Sequence, residues 1–240
     1  MIGAAAAAGG VARAESPEFI EIAEEELADR IRGGMLGQFI GNLNGLPHEA
    51  KYIHQPGNVT GFVPHLPEGA RTDDDTDLEW VYICEIQRTG EALLPPDRIV
   101  QLWQAHINDG IWCANRYARN LMEIGLRPPL TGNRSLNPWA HFNISGQFLC
   151  ESFGLMAPAM PQTASELALH YTKVAIDGEP AQATQMFASM IALAFVEPDV
   201  DRIIEGGIAA ADPGSEIASI ARETRRLCAD NPGDWRATRQ

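Results

Sequence analysis

The four cysteines, Cys84, Cys113, Cys150 and Cys228, are far apart and form no C-x-x-C pair. Structural zinc sites draw their ligands from closely spaced pairs, so this absence argues against one. Buried free thiols are the simpler reading. Basic residues are also scarce, with 18 Lys and Arg against 32 Asp and Glu, a net charge of −14. Nucleic acids and anionic membranes both ask for a basic face, which speaks against either partner. No run reaches the roughly 18 apolar residues of a membrane-spanning helix. Strand-like alternation and internal repeats are missing as well.

What is present is a chain of 240 residues, 45% hydrophobic and 21% charged, enough for one large domain or two small ones. Its start, MIGAAAAAGGVARAES, is small and apolar and ends in Ala-Arg-Ala, like a signal-peptidase site after Ala14. The positive segment that should precede such a site is lacking. Residues 1–17 therefore read as a flexible leader, or as the remainder of a signal peptide in an exported protein. Residues 18–240 read as one helical domain.

Apolar residues in this domain recur three or four apart, the period of a helix with one buried face. The first helix carries Ile31, Met35, Phe39 and Leu43 in one stripe, and Gly33, Gly37, Gly41 and Gly45 in another. A glycine inside a helix costs about 1 kcal/mol relative to alanine. A row of them points to close approach, either of a neighbouring helix or of a ligand. A Pro-, Gly- and His-rich loop follows from Gly45 to Gly69. A helix is then expected from about Asp74 to Arg88 with Gly90 as its stop. Another long helical stretch should begin at Asp97, which could cap it, and four shorter helices close the chain. The expected class is all-α.

Gly69 to Trp80 reads GARTDDDTDLEW and holds Asp73, Asp74, Asp75 and Asp77 within five positions. A helix start accommodates one or two acids, because Thr72 or Asp73 can cap it and the helix dipole favours negative charge there. It does not ask for four. A hard divalent cation does, since Mg²⁺ and Mn²⁺ prefer carboxylate and water oxygens. The run also fits D-D-x-x-D, the Mg²⁺-diphosphate motif of isoprenoid synthases. Those enzymes carry it within a long helix and repeat it downstream, and neither feature is found here.

Two segments read together resemble the ADP-ribosylglycohydrolase family, which includes ADP-ribosylhydrolases and the dinitrogenase reductase-activating glycohydrolase. DRIRGGMLGQFIGNLNGLPHE (29–49) is similar to the family's glycine-rich opening helix, which ends in a glutamate. RTDDDTDLEW resembles its T-D-D-T metal motif, and NISGQFLCESFGLMAPAMP resembles the stretch lining its substrate cleft. The resemblance runs from about Ala28 to the end of the chain. It implies an all-α orthogonal multi-helix bundle with a binuclear Mg²⁺ or Mn²⁺ centre. The implied reaction is hydrolysis of an N- or O-glycosidic bond in ADP-ribosylated protein or an ADP-ribose-containing small molecule. Carried over position by position, it implies Asp73, Asp74 and Asp75 as metal ligands. Glu49 and Asp74 are the implied catalytic carboxylates, and Gly146 and Gln147 the implied substrate contacts.

The chain departs from the family pattern at four points. Asn42 stands where relatives often have aspartate, and Asp73 where they have threonine. The second acidic motif, D-x-D followed by Thr or Ser, is not found. Asp199 and Asp201 have its spacing but precede Arg202, and they read as a solvated helix cap. KVAIDG lacks the histidine that some relatives place there. The domain is therefore expected to be incomplete at its C-terminus, or to be a degenerate, ADP-ribose-binding relative. His48, His54 and His65 are candidates for the cleft. Trp139, His141 and Phe142 offer an adenine platform, although aromatic residues in helical proteins are usually core.

Overall fold

The structure is a computed structural model that describes residues 19–71 and 73–239. The expected leader and the capping role considered for Thr72 lie outside the described residues. The all-α expectation holds: among the described residues ten α-helices follow one another and there is no strand, only an isolated bridge between Pro67 and Gly69.

The first helix, α1, spans Glu24–Gly45, with three glutamates in its first turn where the dipole favours them. A short 3₁₀ turn at Leu46–His48 leads to Glu49 and the long loop. Helix α2 covers Asp74–Thr89 and ends on Gly90, whose φ of 73° is the left-handed conformation that glycine adopts without penalty.

The long stretch expected after Pro96 is broken. It forms α3 (Pro96–His106) and α4 (Cys113–Glu123), with a turn between them. Asn108 Oδ1 accepts the Gly110 N–H at 2.7 Å, so an Asn-Asp-Gly turn overrides the apolar period. Asp97 does not cap α3. Pro95 holds the cap position, and Asp97 sits in the first turn, paired with Arg127.

The short helix α5 (Glu151–Leu155) comes next, and α6 (Pro161–Thr172), α7 (Glu179–Leu193), α8 (Val200–Ala210) and α9 (Glu216–Asp230) follow. A last short helix, α10, is Trp235–Arg239. Asp199 caps α8 by accepting the Asp201 and Arg202 N–H groups. The D-V-D sequence is thus a helix cap, as its context suggested.

Three rings at the centre fasten α2, α5 and α6 together. Phe153 and Tyr171 stack at 4.6 Å, and Tyr82 tilts against Tyr171 at 4.5 Å. Trp103 Nε1 donates to the Tyr82 hydroxyl at 2.6 Å, which satisfies both polar groups inside the core. Full burial of a side chain such as Phe153 contributes about 1.5–3 kcal/mol. Glu85 on α2 accepts from Arg88 and Arg98, which joins α2 to α3 and holds its carboxyl well below the usual range. Ser152, just after the start of α5, fixes the buried Glu79 of α2. The α5 segment is thereby held against the first turns of α2.

Candidate active site

Residue spacing on α1 decides what faces the acids. Gly37, Gly41 and Gly45 fall on one side, four apart, with Gln38 and Asn42 beside them. Together they form one wall of a cleft of about 560 Å³. A Cβ built on Gly33, Gly37, Gly41 or Gly45 meets nothing within 4 Å. The glycine row is therefore not a helix-packing seam. The close approach of α1 to a neighbour is at Gly34, where a Cβ would lie 2.5 Å from Leu155 Cδ2.

Asp73, Asp74 and Asp75 at the start of α2 form the facing wall, and Glu49 enters after the 3₁₀ turn. Ile144, Phe148 and Glu151 close the third side. Among the described residues, no lysine, arginine or histidine lines this cleft.

Each acid has its own local restraint. Asp73 is the N-cap of α2: its Oδ1 accepts the Asp74 N–H at 2.9 Å, and its own N–H donates to Thr76 Oγ1 at 3.3 Å. The capping explanation of the acidic run thus accounts for Asp73. Asp75 Oδ2 accepts from Asn42 Nδ2 at 3.3 Å. An aspartate at position 42 would set a second negative charge there instead of an N–H donor. Asn42 is only 9% exposed, and its Oδ1 has no hydrogen-bond partner.

Burial, then repulsion from Asp73 and Asp75, pushes Asp74 up to about 6. Asp75 is raised by burial, an effect opposed by the Asn42 bond and reinforced by Asp73 and Glu49. Glu151 is raised chiefly by burial, with Asp75 adding to it. Deeper in, Glu79 accepts from Ser152 N at 3.1 Å, Ser152 Oγ at 2.7 Å and Gln38 Nε2 at 3.1 Å. Burial, followed by the nearby Glu151, pushes Glu79 up to about 8. The site therefore concentrates carboxylates that raise one another's proton affinity.

The cleft does not end at the acids. Glu49, Asp73 and Asp74 also border a second cavity of about 410 Å³, which reaches His106, Ile111 and Trp112. Gly110, Ile111 and Trp112 in turn border a third, of about 520 Å³, with Arg116, Tyr117 and Trp139. A groove leads from the carboxylates to an aromatic end. Trp112 is 76% exposed, Trp139 42% and Phe142 59%. The expectation that aromatic residues here are core fails at Trp139 and Phe142, because the 133–143 segment runs over the surface.

A family model described as ADP-ribosylglycohydrolase matches residues 23–239. The chain belongs to the ADP-ribosylglycohydrolase family. No curated protein and no solved structure gives a significant match. Family membership also removes the support for an isoprenoid-type reading, and the acids sit at a helix start rather than within a helix.

Of the residues expected from the family pattern, Glu49, Asp73, Asp74 and Asp75 meet in one cleft. Gly146 and Gln147 are not among its lining residues. Gly146 is buried against α7, where a Cβ would lie 2.1 Å from Thr184 Oγ1 and 2.3 Å from Ile176 Cδ1. Gln147 has its amide oxygen buried without a partner, and its carbonyl accepts from Cys150 Sγ. His48 stacks on Tyr52, and His54 and His65 are exposed on the loop.

Ile144, Phe148 and Glu151 belong to the stretch expected to line the cleft, but Gly146 and Gln147 were singled out there instead; Trp112 was not expected at all. The first three are spaced four and three apart, a faint sign of a common face. Trp112 carries no such sign, because only the Asn108–Gly110 turn places it.

The family implies Mg²⁺ or Mn²⁺. Among the described residues, no three acidic, histidine or cysteine groups are grouped to hold a metal ion by themselves. The donor set nonetheless fits a hard cation. It is all oxygen and negatively charged, and no cationic side chain lines the cleft. Mg²⁺ keeps most of its waters and needs only one or two direct carboxylates.

Proposed function

We propose that this chain hydrolyses the N- or O-glycosidic bond of an ADP-ribosylated protein, or of a related ADP-ribose-containing small molecule. Mg²⁺ or Mn²⁺ would be held at Asp73, Asp74 and Asp75. The observation that carries this reading is the meeting of Glu49 and the aspartate run across a wall of bare glycine backbone. Bare backbone admits a ribose close to the helix, which side chains would block.

Cleavage of such a bond passes through an oxocarbenium-like state, so negative charge beside the ribose is stabilising. The cation, when bound, supplies positive charge that orients hydroxyls and water. Glu49 takes a proton from the attacking water as its oxygen bonds to the anomeric carbon. The bond to the acceptor breaks, and the acceptor regains a proton. The proton that Glu49 takes from the water is the one available to return to the acceptor, because Asp74 would be ionised as a ligand of the cation. The exposed Trp112 and Trp139 provide flat faces for the adenine end.

A second reading is supported by the position of Asp199 and Asp201 at the start of α8, away from the cleft-lining residues. Without a second aspartate pair at the cleft, the chain would bind ADP-ribose without turnover.

One assay separates the two: release of ADP-ribose from ADP-ribosylated arginine or serine peptides, with Mg²⁺ or Mn²⁺ and with chelator. Cation-dependent release, reduced about 10²-fold or more by Glu49→Gln or Asp74→Asn, supports hydrolysis. ADP-ribose binding without release supports the second reading. Release indifferent to chelator and to both substitutions rules out the proposed site.

A further inference from the structure

Asp73, Asp74 and Asp75 are consecutive at the start of α2 and line one wall of the cleft. An ion with six or more ligand positions needs acceptors on its other side too, direct or through its waters. Asp199 and Asp201 do not line this cleft: Asp199 caps α8, and Asp201 pairs with Arg225. One acidic side chain lines the same cleft from the α5 side, and it is Glu151.

We propose that Glu151 is the cross-cleft ligand of the cation site and that Asn42 is the positioning residue that holds Asp75 for it. This inference rests on the reading that the cleft takes a divalent cation.

Three observations support it. Glu151 and Asp75 line the same cleft, one from α5 and the other from the start of α2. No cationic side chain lines the cleft to offset them. Asn42 lines that cleft, is nine-tenths buried, and has its Oδ1 without a partner. Buried acceptors in folded proteins almost always have partners, so an orphan beside five carboxylates marks a place for a donor-rich guest. A hydrated cation is such a guest, since its bound waters present only hydrogens. The geometry of Glu151 also fits a held ligand. Its Oε2 accepts the Cys150 N–H at 3.2 Å, which restrains the carboxylate at the cleft wall.

The test is Mn²⁺ binding to the full chain, followed by the electron paramagnetic resonance of free Mn²⁺. Glu151→Gln keeps an oxygen for the Cys150 N–H while removing the charge, so the fold should persist. The expected result is a loss of affinity of about tenfold or more in Glu151→Gln, and about tenfold in Asn42→Ala, with melting of the ion-free proteins close to wild type. A second measurement uses the unaltered chain: Mn²⁺ should protect Glu151 from carbodiimide-driven amidation, read by mass spectrometry, while exposed carboxylates react as before.

Wild-type affinity in Glu151→Gln, or labelling of Glu151 that ignores Mn²⁺, overturns this inference. If Asp74→Asn still abolishes binding in that case, the aspartate site stands without Glu151. No Mn²⁺ binding by the wild-type chain overturns both.

Discussion

Replacing single glycines of α1 by alanine separates what each one does. Gly33, Gly37 and Gly41 lie inside the helix with open space where a Cβ would go. Nothing in the fold therefore opposes the methyl, and the helix gains the full propensity difference, about 1 kcal/mol per site. For a chain of this size that raises the melting temperature by about 2–4 °C. Gly33 does not line the cleft, whereas Gly37 and Gly41 do. Gly33→Ala should be stabilised with ligand binding unchanged. Gly37→Ala and Gly41→Ala should be equally stabilised but bind ADP-ribose or Mn²⁺ more weakly. Gly34→Ala provides the contrast: its methyl would fall 2.5 Å from Leu155 Cδ2, so that buried leucine must shift and the gain is cancelled. Differential scanning fluorimetry and calorimetric titration on the four variants read both quantities. If Gly33→Ala is destabilised, that face of α1 is covered. If Gly37→Ala and Gly41→Ala are stabilised and bind as wild type, the row has no part in ligand access.

Gly146→Ala is expected to cost about 1–3 kcal/mol in urea unfolding, because its methyl meets Thr184 and Ile176 in a packed seam; a stable variant with impaired binding would restore it as a substrate contact. Glu79 binds its proton more tightly folded than unfolded, so its contribution to stability is greatest below about pH 4.5. That contribution should decline as pH rises toward about 8, while the unfolded chain ionises first. Glu79→Gln should flatten this slope in melts between pH 5 and 9, and an unchanged slope would count against a protonated Glu79. Below about pH 6 protons compete for Asp74, so Mn²⁺ affinity should fall as pH drops through 6, and calorimetry in buffers of different ionisation enthalpy should detect proton release on binding. Trp112→Ala should alter stability by no more than about 0.5 kcal/mol, because the ring is exposed, yet weaken ADP-ribose binding; full-strength binding would remove the aromatic end of the groove from the site.

Helix positions and the acidic run were legible in the sequence because each is local. Gly90 stops α2 as expected, and Asp73 caps it through neighbouring atoms. The α3–α4 break was local too, but Asn108 and Gly110 were outweighed by an apolar period that continues through them. What the glycine row faces was not legible, since packing and open space use the same spacing. Glu151 stayed hidden for a different reason. Its neighbours at the cleft are about 75 to 110 positions earlier in the chain, and only the folding of α5 onto α1 and α2 places it there. Gly146 is a family-like position whose glycine is also required by the tight seam with α7, a packing demand that its sequence context does not announce.

The turn at Asn108–Gly110 has a consequence for how this molecule could diversify. It contributes nothing to the carboxylate cluster, yet it sets the bend that leaves Trp112 at the far end of the groove. If the groove is the ligand's path, lengthening or shortening that turn would alter which molecules reach the acids without replacing any acid. In the proposed enzyme, selectivity and chemistry would thus reside on separate pieces of chain, and a few residues between two helices would change the first without cost to the second.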